Sequence, residues 1–290
     1  MQERLRELVE LLDLEPIDRD IFRGRNESQR EGRLFGGQVA AQALAAAGRT
    51  VEERTPHSLH AYFLRAGDPA RPVVYSVDRI RDGRSFATRR VVAIQNGHAI
   101  FNMSISFQMN ESGYEHQIPM PEAPDPEGLP SWNDQISETS RRAGFEKWAS
   151  DPRPIDMRFA VTPTFLGGGT SSEPNLVWMR SVAPLPEDPF LHQCVLTYAS
   201  DMSLLDNIVR PHGRNGALGP VMMASLDHAL WFHEPVRMDQ WLLYAQESTV
   251  AARGRGFARG TIFQRDGRLV ASVAQEGLLR PVKRPEDRSH

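Results

Sequence analysis

Leu5, Leu8, Leu11 and Leu12 recur at helical spacing among charged residues and predict a short amphipathic helix over residues 1–14, lying on the body of the protein. A different texture follows in Phe35-Gly-Gly-Gln-Val-Ala-Ala-Gln-Ala-Leu-Ala-Ala-Ala-Gly-Arg-Thr-Val, which is rich in alanine and almost uncharged. A helix of that composition can be surrounded by protein on most sides. Gly36 and Gly37 allow close backbone approach at its start, and Gly48 can end it. The period then changes. Runs at 57–66, 72–81, 84–95 and 98–109 read as strands, separated by Gly67-Asp68-Pro69, Asp82-Gly83 and Asn96-Gly97. The last two dipeptides signal tight hairpins, because a type I′ turn needs positive φ at both central residues.

Residues 110–155 are rich in Pro, Glu, Ser and Asp and read as a linker, with one helix near 133–149. Strands are expected again at 156–163 and 175–183. Tyr198 to Val209 reads as a helix with Ser200 or Asp201 near its start. Four further strands are expected at 225–232, 241–248, 257–264 and 269–278, with Asp266-Gly267 as a turn. The halves can be laid over one another. Leu59-His60-Ala61-Tyr62-Phe63 faces Asp227-His228-Ala229-Leu230-Trp231, Tyr75 faces Tyr244, and Ser85-Phe86-Ala87 faces Gly256-Phe257-Ala258. The fold class expected is therefore α+β: two tandem hot-dog domains, each a long central helix wrapped by an antiparallel β-sheet, fused with pseudo-symmetry. The boundaries are 1–112 for the N-terminal domain, 113–155 for the Pro-rich linker, 156–282 for the C-terminal domain and 283–290 for a disordered tail.

Composition narrows the class. Of 290 residues, 40% are hydrophobic and 24% charged, enough to bury two cores. The formal net charge of −3 gives no global field that would attract nucleic acid or an acidic membrane. The single cysteine, Cys194, rules out an intramolecular disulfide, fits a reducing compartment, and reads as buried packing rather than a nucleophile. The charged N-terminus lacks an apolar signal-peptide core, and no stretch is long and apolar enough to span a bilayer, so a cytoplasmic protein is expected.

Several motifs in fixed order carry a family likeness: Phe35-Gly-Gly-Gln-Val, His57-Ser-Leu-His-Ala-Tyr-Phe-Leu-Arg, Arg81-Asp-Gly-Arg-Ser-Phe, Tyr198-Ala-Ser-Asp201, Leu226-Asp-His-Ala-Leu-Trp-Phe-His233 and Val273-Ala-Gln275-Glu-Gly277. On these the chain resembles the type II acyl-CoA thioesterases, the TesB-like double hot-dog enzymes, over nearly its whole length. The resemblance implies an acyl-CoA substrate, a homo-oligomer, no cofactor and no metal. It also implies a hydrolytic trio: an Asp at the start of the second helix, a Thr or Ser on the next strand and a Gln on the last strand. These fall on Asp201, Ser225 and Gln275.

The residue types suit the chemistry. A carboxylate can take a proton from water, and hydroxyl and amide groups can hold that water in place. Backbone N–H groups at a helix start, beside Gly36 and Gly37 or on the second helix, would meet the oxyanion. His57 is a further candidate, for lining the acyl pocket. Taken singly, Asp201 reads as a helix cap, Ser225 as a strand hydroxyl and Gln275 as a surface amide; the case rests on the three together. The pairs His57/His60 and His228/His233 lack a recognised metal-ligand spacing. No Gly-x-Ser-x-Gly elbow is present, and Arg253–Gly260 leads into a strand, unlike a dinucleotide loop. Two rivals are a hot-dog acyl-CoA hydratase, which needs an Asp/His pair on the helix, and a non-catalytic acyl-CoA-binding protein, which need not keep all three residues. The first helix starts with Gly-Gly-Gln rather than an acid, so one active centre per chain is expected.

Overall fold

The computed structural model describes residues 2–27, 32–132, 134, 152–164, 168–213 and 221–282. The helix expected near 133–149 lies almost wholly outside the described residues, and the expected tail at 283–290 lies outside them entirely. The elements run α1 (Gln2–Leu12), β1 (Glu15–Asp18), β2 (Ile21–Gly24), α2 (Gly36–Gly48), β3 (Thr55–Phe63), β4 (Val73–Asp82), β5 (Phe86–Gln95) and β6 (His98–Gln108). The second half continues with β7 (Ile155–Phe159), β8 (Asn175–Ser181), α3 (Pro189–Ser200), a 3-10 turn at Leu204–Ile208, β9 (Val221–Ser225), β10 (Asp227–Phe232), β11 (Leu242–Ala252), β12 (Arg255–Gln264) and β13 (Leu269–Pro281).

Among the described residues, thirteen strands form one antiparallel sheet. Its two halves, β1-β2-β4-β5-β6-β3 and β10-β13-β12-β11-β8-β7, meet where β3 pairs with β10, from Tyr62 opposite Asp227 to Ser58 opposite Trp231. Helices α2 and α3 carry the cores. From Gly37 to Ala47 every residue of α2 is buried. Of its two glutamines, Gln42 is accommodated because it finds partners: its Nε2 donates to the carbonyls of Leu11 and Arg25, each at 2.8 Å, and its Oε1 accepts from Tyr75 at 2.7 Å. The helices run antiparallel. A Cβ on Gly37 would meet the Tyr198 carbonyl, and one on Gly48 would meet the Phe190 ring, so glycine is what lets the two axes approach.

The second helix is displaced from its expected place. It begins at Pro189, where the Asp188 side chain accepts from Phe190 N at 2.9 Å and proline fits the first helical position. It ends at Ser200, so Asp201 is its C-cap and not its start. Residues 204–208 are a 3-10 turn rather than α-helix. The strands β1 and β2 were not anticipated either.

Turns divide similarly. Asn96 and Gly97, with φ of 51° and 75°, form the expected left-handed hairpin pair. At Asp266-Gly267, between β12 and β13, only Gly267 has positive φ, and at Asp82-Gly83 neither residue does; Gly83 N instead bonds the Phe86 carbonyl at 2.8 Å. The Arg253-Gly254 pair, with φ of 51° and 75°, is the hairpin between β11 and β12. Residues 117–129 lie against the second half of the sheet: Trp178 Nε1 donates to the Pro124 carbonyl, and Met120, Ala123 and Leu129 pack on Trp178, Trp241 and Leu243.

The superposition of the halves needs one correction. Tyr75 and Tyr244 are both fully buried, as are Ala87 and Ala258, so those pairings agree with the fold. Pairing His60 with His228 does not, because His60 is exposed and His228 buried. Side chains alternate along a strand, so a one-residue slip exchanges the faces. The inward residues Leu59 and Ala61 correspond to His228 and Leu230.

Candidate active site

Three segments of the second half deliver the expected trio to one place. Asp201 stands at the end of α3, Ser225 ends β9, and Gln275 lies in β13. Strand β13 pairs with β9 at Gly277 opposite Ser225 and with β10 from Ala274 onward, so Gln275 spans the break at Leu226 between those two short strands. Its amide Nε2 donates to Asp201 Oδ1 at 2.7 Å and to Ser225 Oγ at 2.8 Å. Because Nε2 uses its hydrogens on the carboxylate and on Ser225 Oγ, the serine hydroxyl proton is left to donate elsewhere. Gln275 is 1% exposed and Asp201 9%, while Ser225 is half-buried. The amide orientation follows from charge: turned round, Oε1 would face the Asp201 carboxylate.

The first half contributes the opposite wall. A Cβ on Gly36 would stand 2.7 Å from Asp201 Oδ2 and 2.7 Å from the Phe63 ring, so the start of α2 abuts the carboxylate. Phe35 at the N-cap gives α2 no side-chain cap. An acid at the C-terminus of α3 faces that helix's partial negative end, which is unfavourable by about 0.3–1 kcal/mol; the positive end of α2 beside it offsets this. The site thus joins the two repeats through residues 165 positions apart. At the matching end of α2 stands Arg49, its C-cap, where α3 has Asp201. The absence of an acid from the first half is therefore read at the helix end, not at Gly36-Gly37-Gln38.

The remaining candidates go elsewhere. His57 bonds Ser106 Oγ at 2.8 Å and stacks edge-on to Phe86 at 5.6 Å, and burial lowers its pKa. It sits roughly 20 Å along β3 from Phe63, at about 3.3 Å per residue, and is not brought to the trio. His60 stacks on Trp231 at 5.0 Å and His233 bonds Ser272 at 2.9 Å, so neither histidine pair converges. Among the described residues no three His, Cys, Asp or Glu side chains form a group able to hold a metal ion. Cys194 is buried within α3, and burial pushes its thiol pKa far up.

Comparison with known proteins agrees over most of the chain. The family description "Acyl-CoA thioesterase" matches residues 149–278, and "Acyl-CoA thioesterase N-terminal domain" matches 25–108. The chain is 41% identical to acyl-coenzyme A thioesterase 8 of Mus musculus over 288 residues, covering 94% of this chain and 88% of that protein. It is 38% identical to acyl-CoA thioesterase 2 of Haemophilus influenzae over 284 residues, covering 97% and 99%. The crystal structure of the acyl-CoA thioesterase II TesB2 from Mycobacterium marinum superposes with a TM-score of 0.78 at 42% identity, covering 95% and 99%. With one antiparallel sheet wrapped on two buried helices and both halves matched, the chain belongs to the acyl-CoA thioesterase family, as a TesB-like type II member with the double hot-dog fold.

Proposed function

We propose that the chain hydrolyses fatty acyl-CoA to free fatty acid and CoA, by direct attack of a water that Asp201 activates and that Ser225 and Gln275 orient. The observation that carries this is the Gln275 amide bonded at once to Asp201 and Ser225. In this reading a water beside Asp201 gives up a proton to the carboxylate as its oxygen bonds the acyl carbon. The tetrahedral intermediate then collapses, the C–S bond breaks, and the sulfur leaves with the proton that Asp201 held. Peptide N–H groups in the first turn of α2, beside Gly36 and Gly37, would serve as oxyanion donors in this reading. The hydratase alternative loses support because His192, the histidine of α3, sits at the far end of that helix and accepts from Met238 N at 2.9 Å.

On family likeness alone we also take the chain to be a homo-oligomer of fatty acid metabolism; light scattering of the purified protein tests its assembly. No helix among the described residues is long and apolar enough to cross a membrane. The activity is tested by following thiol release from acyl-CoA esters of graded chain length, with the acid product identified. Stoichiometric release of CoA and free acid is expected. Binding without release, or hydration of an enoyl-CoA without release, would overturn the proposal.

A further inference from the structure

A second buried polar group lies against the trio. His228 on β10 is 1% exposed. Strands β10 and β13 pair Ala229 with Ala274 and Leu230 with Val273, and the same register sets His228 opposite Gln275. Directly opposed side chains on one sheet face lie about 5 Å apart at Cβ. In the first repeat the same cross-strand position is occupied by Leu59 and Ile105, both fully buried. The fold therefore accommodates an apolar pair here. The second repeat instead buries an imidazole against an amide, which is costly unless the two are bonded.

Two atoms at this contact want partners. His228 Nδ1 and Gln275 Oε1 are both buried, and neither meets a hydrogen-bonding atom at full geometry. On its other side His228 Nε2 lies 2.9 Å from Ser200 Oγ, and Ser200 is the residue before Asp201. Ser200 Oγ is also 3.0 Å from the Thr197 carbonyl, so its one proton has two possible acceptors. If that proton goes to Thr197, Nε2 is the donor, and Nδ1 presents a lone pair to the Oε1 lone pairs. If it goes to His228 Nε2, Nδ1 carries the imidazole proton and can bond Oε1. Only the second arrangement satisfies both buried atoms. The interaction with Gln275 also raises the imidazole pKa against the burial that lowers it.

We propose that His228 is a positioning residue: its Nδ1–H holds Gln275 Oε1, which fixes the amide with its NH2 group toward Asp201 and Ser225, while Ser200 sets the tautomer. Without that bond the amide keeps its sense, set by the Asp201 charge, but loses the anchor at Oε1, so its NH2 group shifts relative to Asp201 and Ser225 and displaces the water site. The inference rests on the hydrolytic reading above.

The test uses the first repeat as a template. His228→Leu places at this position the residue type found at Leu59 of the first repeat, and removes the donor to Gln275. His228→Asn keeps an amide donor near the Nδ1 position, whereas His228→Gln carries its donor toward Ser200. In thiol-release kinetics on the full chain, His228→Leu is expected to fold, to keep KM within about twofold, and to lose about 10–100-fold in kcat, the scale for misplaced reacting groups. His228→Asn is expected to recover most of that loss, and His228→Gln is expected to recover little. Full kcat in His228→Leu would overturn the proposal. Should His228→Leu not fold, the order of the two amide variants decides, and a His228→Gln that matches or exceeds His228→Asn overturns it. Asp201→Asn in the same assay separates the layers. If Asp201→Asn turns over freely, the hydrolytic reading itself fails; if it is inactive while His228→Leu is fully active, only the role of His228 fails.

Discussion

Replacing Gly36 by alanine adds one methyl group where the two repeats meet. That Cβ would stand 2.7 Å from Asp201 Oδ2, 2.7 Å from Phe63 Cε1 and 2.9 Å from Phe63 Cζ. Ordinary contacts begin near 3.4 Å, so the carboxylate or the ring must yield by about 0.7 Å. The ring leans on Phe101 at 5.2 Å, and the carboxylate is tied to Gln275, so neither gives way freely. A shift of this size in a reacting group costs about 10–100-fold in rate. Crowding costs about 1–3 kcal/mol of stability, offset by up to about 1 kcal/mol from the better helix propensity of alanine. We therefore expect a folded protein, a urea midpoint slightly lowered, and a kcat reduced by about 10–100-fold. Gly128→Ala, with nothing near its Cβ, serves as the silent control. A Gly36→Ala enzyme with wild-type kcat and KM would refute the idea that the start of α2 closes the site against Asp201.

Other expectations follow from single groups. Burial lowers the His228 pKa to about 4 from 6.5. The unfolded chain therefore binds a proton between those values that the native state does not, and stability falls as pH drops through this window. The loss amounts to about 2 kcal/mol from pH 7 to pH 5, so urea unfolding of His228→Asn should show a pH dependence smaller by about that amount. Ser225→Ala should lose about tenfold in kcat, the equivalent of one hydrogen bond, whereas Ser225→Thr keeps the hydroxyl and should stay near wild type in the thiol-release assay. Native Cys194 should resist a thiol reagent such as a soluble aromatic disulfide and react fully in denaturant, because its thiol is buried and its pKa is raised.

The almost uncharged, alanine-rich run at 35–51 and the Asn96-Gly97 hairpin announce themselves locally, and both stand where the pattern puts them. Helix α3 does not announce itself. His192 to Ser200 is buried without a break, so its sequence has no amphipathic period to mark it. The decisive local signal was the Asp188-Pro189 start. Strand β1 has four exposed residues and no alternation to detect. At the site, Asp201, Ser225 and Gln275 could be named only through the family likeness, since each alone is an ordinary cap, hydroxyl or amide. The approach of Gly36 to Asp201 is a contact through space, with no signature in either segment. His228 was visible as a residue but misplaced by the one-position slip against His60, which hid that it points inward.

The measurement that bears most directly on the central claim is the turnover of Asp201→Asn, made alongside its affinity for an unreacted acyl-CoA. The substitution is isosteric and can still accept from Gln275 Nε2, so the fold and the binding affinity should be unchanged. With no base beside the water, kcat should fall by at least about 100-fold, the lower end of what a general base contributes. An Asp201→Asn protein that releases CoA at the wild-type rate would contradict the account, because no carboxylate would remain in the trio to activate the water.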